Sequence, residues 1–153
     1  RGIDPQTAAL CMSSIGIGII FGRIIAGYLM DYFFAPYVTA LFLIGMASGI
    51  LILASGTTSQ LVFVAALFVG MGSGSEISEI AYICSRYFGQ KAFGQIYGIM
   101  FAAFQFGAAF GAPVMGIYYD RVGDYIGALW FLAGTVLLGA ILVALIKKPY
   151  PDL

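Results

Sequence analysis

Charge is scarce in this chain. Of 153 residues only 9% are Asp, Glu, Lys or Arg, against about 25% in a typical soluble domain. The apolar set AVILMFWYC reaches 61%, with 21 glycines besides. That balance excludes an ordinary soluble enzyme and a disordered tail. Seven basic against seven acidic residues leave no net charge to gather phosphate, so nucleic acid is not a partner. Histidine is absent, which removes His-based acid–base catalysis and His metal ligation. The two cysteines, Cys11 and Cys84, are too few for a Cys metal site and read as buried thiols. No metal and no cofactor is expected. No nucleophile–base pairing is in sight, so the chain does not read as an enzyme. It opens on Arg rather than Met, without a secretory signal pattern. It is therefore expected to be a fragment or a processed product.

What the chain does have is long uncharged runs. Residues 5–22, 32–75, 92–119 and 125–146 carry no charge. A membrane helix needs about 20 mostly apolar residues, and the longest of these runs has room for two. That run is broken by the polar turn Ser55-Gly56-Thr57-Thr58-Ser59-Gln60. The expectation is an all-α integral membrane domain over 1–153, with five spans near 7–30, 36–55, 61–84, 94–119 and 125–146. A β-barrel would show short alternating segments instead. Five spans put the two ends on opposite sides. One side carries Arg86, Lys91, Lys147 and Lys148, the other Arg1 and Arg121. The positive-inside rule then favours a cytoplasmic C-terminus, and a bacterial inner (cell) membrane is the expected location. Tyr87, Phe88, Tyr118, Tyr119 and Tyr125 lie near span ends, as interfacial aromatics do.

An internal repeat links the first and fourth spans. Residues 18–31 read GIIFGRIIAGYLMD and residues 107–120 read GAAFGAPVMGIYYD. Gly18, Phe21, Gly22, Gly27 and Asp31 match Gly107, Phe110, Gly111, Gly116 and Asp120. In the topology above these spans cross in opposite directions, so the repeat is inverted, as in many transporters. Small residues every four positions also let any two helices pack closely. Gly18-xxx-Gly22, Gly45-xxx-Gly49, Gly94-xxx-Gly98 and Gly107-xxx-Gly111 all allow that plainer reading. The run Gly70-x-Gly72-x-Gly74 is not a phosphate loop, since no Lys-Ser/Thr follows it. It reads as close packing around a cavity.

The segment Gly22-Arg23-x3-Gly27-x-Leu29-x-Asp31 resembles the end of the eighth helix in the major facilitator superfamily. In that superfamily an Arg follows the Asp; here Tyr32 does. Gly116-x3-Asp120-Arg121-x-Gly123 looks like an echo between helices eleven and twelve. Gly70-x-Gly72-x-Gly74-x-Glu76, Ser85-Arg86-Tyr87-Phe88-Gly89 and Phe93-Gly94-x2-Tyr97-Gly98 resemble helix ten and the start of helix eleven. The wording is nearest to the branch of monocarboxylate transporters and oxalate–formate antiporters. The resemblance implies helices eight to twelve of a six-helix C-terminal bundle with inverted repeats. The N-terminal half of the same transporter would be a missing partner. It also implies that the second and fifth spans are the outer, lipid-facing pair.

Charges at membrane depth are costly and usually have a task or a partner. Arg23 lies eight residues before Asp31, about 12 Å along the helix. The resemblance gives it the role of holding the substrate anion. The monocarboxylate members carry an Asp four residues earlier, where this chain has Ile19, a departure from their proton-coupling scheme. A structural pair between Arg23 and a glutamate of the third span is the other reading. Glu76 and Glu79 are three apart, on neighbouring faces. Glu76 lies ten residues before Arg86, about 15 Å from the helix end. A carboxyl at that depth can carry a coupling proton, Glu76 being favoured as the deeper, or can neutralise Arg23. Gln105, mid-span, either touches the ligand or joins helices. Tyr97 and Tyr82 are further cavity candidates. Pro113 marks a hinge or a packing kink. No Lys or Arg lies between Lys91 and Arg121, which speaks for a singly charged substrate.

The expected function is transport of a small organic anion, a monocarboxylate, coupled to protons, by alternating access in the full-length protein. The alternatives are a structural or assembly membrane protein packed through glycine faces, or an oligomeric channel.

Overall fold

The computed structural model describes residues 5–56 and 61–147. Arg1 and Lys148 of the charge count, and turn residues 57–60, lie outside them. Among the described residues there are five helices and no strand: α1 (Pro5–Tyr32), α2 (Ala35–Ala54), α3 (Leu61–Phe88), α4 (Phe93–Val122) and α5 (Ile126–Ala144). All five are long and apolar enough to cross a membrane. A chain this apolar has little choice. In hydrocarbon only a helix or a closed barrel satisfies every backbone N–H and C=O.

The helix ends follow local chemistry rather than the edges of the apolar runs. α3 continues through Ser85, Arg86, Tyr87 and Phe88 until Gly89, at φ +69°, turns the chain. α4 stops where Gly123, at φ +82°, donates its N–H to the Tyr119 carbonyl at 2.8 Å. That left-handed position suits glycine. α5 starts at Ile126, whose N–H donates to Asp124 Oδ1 at 2.9 Å. Pro113 sits inside α4, which is a single helix from Phe93 to Val122.

The tightest packing is between α1 and α3. A Cβ on Gly18, Gly22, Gly70 or Gly74 would strike the backbone of the opposite helix. Gly70 rests on Ile15, Gly74 on Ile19, and Gly22 on Met71. Both numbers rise together, so the two helices run parallel. Further along, the Tyr82 hydroxyl donates to the Met30 carbonyl at 2.9 Å. The Arg86 guanidinium stacks on the Tyr82 ring, 5.4 Å from its centroid, and donates to the hydroxyl at 3.3 Å. A small core of Ala26, Met30, Ala35, Val38 and Phe42 fills this end.

α2 lies on another side of α3 and runs antiparallel to it. Met46 packs on Gly72, and Gly49 on Ala65, Phe68 and Val69. The Gly70-x-Gly72-x-Gly74 run therefore serves two neighbours: its ends meet α1 and its middle meets α2. α2 also packs along α5. The uncharged second span is thus not purely lipid-facing. It exposes Tyr37, Leu41 and Ile44 but buries Val38, Phe42, Ala47 and Ile50. α5 does present a broad outer face of Trp130, Phe131, Leu138, Ile141 and Leu142. α4 touches α3 only lightly and has no buried residue. Tyr87 ties α3 to the segment after α5 by donating to the Lys147 carbonyl at 2.8 Å. Cys84 is buried, as expected. Cys11 is only half-buried, because much of the early part of α1 lies uncovered.

Three outcomes are expected for packing. Gly22→Ala and Gly74→Ala should each destabilise the helix pair by about 1–3 kcal/mol through overpacking. Gly16→Ala, which meets nothing within 4 Å, should not lower the thermal midpoint in detergent and should raise it slightly, since alanine favours a helix over glycine by up to about 1 kcal/mol. Tyr82→Phe should lower that midpoint slightly, as loss of one hydrogen bond worth about 0.5–1.5 kcal/mol.

Candidate functional site

The register of α1 on α3 places the intramembrane charges. Ile19 sits on Gly74. Four residues on along parallel helices, Arg23 is level with Ser78, between Glu76 and Glu79. All three charges share one layer. They do not share one face. Gly70 and Gly74 turn toward α1, and at 3.6 residues per turn Glu76 and Glu79 emerge on roughly the opposite side of α3. Arg23 follows Gly22 by one residue, about 100° round α1 from the contact line, and is exposed. Among the described residues no ion pair joins Arg23 to either glutamate. The arginine has the helix pair between itself and the acids.

Glu76 and Glu79 are brought together. Both line a cavity of about 320 Å³ bounded by α2, α3, α4 and the end of α5. Glu79 is the more enclosed, only 1% exposed, whereas Glu76 is half-buried. Depth along the helix favours Glu76; enclosure by neighbouring helices favours Glu79. Among the described residues neither Glu79 oxygen has a hydrogen-bond partner, nor has the Thr39 hydroxyl that faces the same cavity. Thr39 and Ser75 lie near enough to act on the Glu79 carboxyl electrostatically without a well-formed hydrogen bond to it. Ser75 donates instead to the Gly72 carbonyl at 2.9 Å.

The remaining candidates are dispersed. Gln105 is exposed on α4 and does not line the glutamate cavity. Tyr97 is half-buried in an aromatic ladder, stacked on Phe93 and Phe101 with centroids 5.3 and 5.7 Å away. Tyr82 is occupied as the joint between α1 and α3. Of the motif residues, Gly22 makes the close approach to Met71, while Gly27 and Gly116 meet nothing within 4 Å. Asp31, Asp120 and Arg121 are exposed near the ends of α1 and α4.

Sequence reasoning missed Thr39, Met100 and Phe104, which complete the cavity around the acids. Thr39 had a signal: it is the one hydroxyl amid the apolar stretch VTALFLIGM. Met100 and Phe104 had none, since apolar residues on an apolar helix do not announce a face.

The comparisons with known proteins agree with this architecture. The model of the Major Facilitator Superfamily matches residues 1–153. Monocarboxylate transporter 9 of Gallus gallus is 28% identical over 140 residues, covering 90% of this chain and 27% of that protein. The chain thus spans about a quarter of the length of that relative. No solved structure matches it. The family match takes in every residue of a chain whose described helices can all cross a membrane. It shows that the chain belongs to the Major Facilitator Superfamily.

Proposed function

We propose that this chain is most of the C-terminal half, helices eight to twelve, of a transporter for a small organic monocarboxylate, driven by protons through alternating access. Arg23 holds the substrate carboxylate. Glu79, with Glu76 beside it, carries the coupling proton. Gln105 and Tyr97 line the path of the anion. The C-terminus faces the cytoplasm of a bacterial cell.

The observation that carries this reading is Arg23: an exposed arginine midway along an apolar helix, without an ion-pair partner among the described residues. A charge so placed needs an anion or a water-filled path. Its planar fork matches a carboxylate in two hydrogen bonds. The name of the relative, a monocarboxylate transporter, agrees with that ligand. The internal repeat adds support for missing helices. α1 pairs with α3 through Gly18 and Gly22, yet their repeat counterparts Gly107 and Gly111 meet nothing within 4 Å. At the same offset the counterpart of α3 falls before residue 1. In this reading a preceding helix covers that face of α4.

Uptake of labelled short carboxylates into proteoliposomes carrying the whole transporter tests both roles. Arg23→Gln should cut uptake about ten- to a hundredfold, the loss of a charged hydrogen-bonding partner worth about 1.5–3 kcal/mol. Wild-type uptake in that variant would end the binding role. An inward proton gradient should accelerate the wild type and leave Glu79→Gln unaffected. A gradient response retained in both Glu79→Gln and Glu76→Gln would end the coupling role.

A further inference from the structure

The cavity of Glu76 and Glu79 is larger than a proton site requires. It holds about 320 Å³, within the range of about 300–1,000 Å³ seen for small-molecule sites. Its polar lining is Glu76, Glu79 and Thr39, and no Lys or Arg lines it. Glu79 is 1% exposed and Thr39 7%. Among the described residues no well-formed hydrogen bond satisfies either Glu79 oxygen or the Thr39 hydroxyl. Thr39 and Ser75 lie close to the Glu79 carboxyl, but no cationic side chain lines the cavity, and a buried carboxylate without a cation is costly to keep.

Several occupants fit poorly. A water takes about 30 Å³ and needs two to four polar partners. Three polar side chains hold one or two waters and leave most of the space dry. A hard metal ion such as calcium wants about six to eight oxygens, more than two carboxyls and a hydroxyl offer. A proton neutralises one acid and fills nothing. An organic cation meets both needs, with its charge at the carboxyls and its apolar body in the dry remainder. Phe104 supplies an aromatic ring to the lining, a side chain of the kind that attracts cations, and the flexible Met100 thioether adapts to the shape of a ligand.

We infer that this cavity binds a lipophilic organic monocation, its ammonium head on Glu79 and Glu76 and its body against Ile80, Met100 and Phe104. The site goes beyond the anion reading. It uses no part of Arg23 and stands even if Arg23 binds no substrate. Where both readings hold, cation and coupling proton compete for one carboxyl.

Equilibrium binding of radiolabelled benzyltrimethylammonium to the purified whole transporter tests the site, because the charge of this probe does not titrate. Neopentylbenzene, its neutral isostere, serves as competitor. The expected result is saturable binding of one probe per chain. Glu79→Gln should weaken it at least tenfold, and Met100→Trp, which fills the cavity and keeps both acids, should weaken it similarly. Arg23→Gln should bind as the wild type does, and neopentylbenzene at equal concentration should not displace the probe. The inference is overturned by an absence of saturable binding to the wild type. It is also overturned if the neutral isostere displaces the probe equally, which would mark an apolar lipid pocket. Binding that survives both Glu79→Gln and Met100→Trp, or that disappears in Arg23→Gln, would place the probe elsewhere. Carboxylate uptake in Arg23→Gln is a separate readout, so failure of the cation site and failure of the anion reading are told apart.

Discussion

The backbones of α1 and α3 touch at Gly18, Gly22, Gly70 and Gly74, and no side chain stands between them. In a bilayer there is no hydrophobic drive to bring helices together, since lipid tails are as apolar as leucine. Close backbone approach and dispersion supply the attraction instead. This contact fixes the rotation of both helices about their axes. It also fixes their relative height, and the Tyr82 bond to Met30 locks the same register at the far end.

Rotation and height together decide the electrostatics. Height puts Arg23 and the two glutamates in one layer. Rotation puts them on different sides of the helix pair. An arginine and an acid in contact would neutralise each other and leave little for a ligand to do. Kept apart, the arginine and the acids do not neutralise one another, and whatever partners either of them lies outside the pair. The same rotation sets Gly72 against Met46 of α2, which brings Thr39 to the acid side. Packing between two helices thus shapes a cavity bounded by the other three as well.

Much of this was legible in the sequence. Fourteen charged residues partition the chain, and their spacing, with the polar turn 55–60 that breaks the longest uncharged run, gives the five helices. The helix ends shifted by a few residues because Gly89 and Gly123, rather than the last apolar residue, stop α3 and α4. Four Gly-xxx-Gly pairs could be read off, but not which would be used. Gly18 and Gly22 of α1 find α3, Gly45 and Gly49 of α2 also find α3, and Gly94, Gly98, Gly107 and Gly111 meet nothing within 4 Å. A small face says that a helix can be approached, and not by which neighbour. The same limit hid the separation of Arg23 from the glutamates. Spacing along one helix gives a face, while the partner of that face depends on a rotation that distant residues set. Thr39 shows the converse: a lone hydroxyl in an apolar stretch was visible, and only the fold gives it a purpose.

The pairing of α1 with α3 rather than α2 also bears on biosynthesis. α1 makes few contacts with α2, and its main partner is not synthesised until α2 and the following turn are complete. During that interval α1, arginine included, lacks the neighbour that packs most closely along it. An arginine near a helix centre costs about 2.5–3.5 kcal/mol on the insertion scale, while each central Leu, Ile, Phe or Val returns about 0.3–0.6. Residues 15–25 contain Ile15, Ile17, Ile19, Ile20, Phe21, Ile24 and Ile25, enough to offset most of that cost. The isoleucines that stay exposed beside Arg23 in the finished fold therefore hold α1 in the bilayer until α3 arrives.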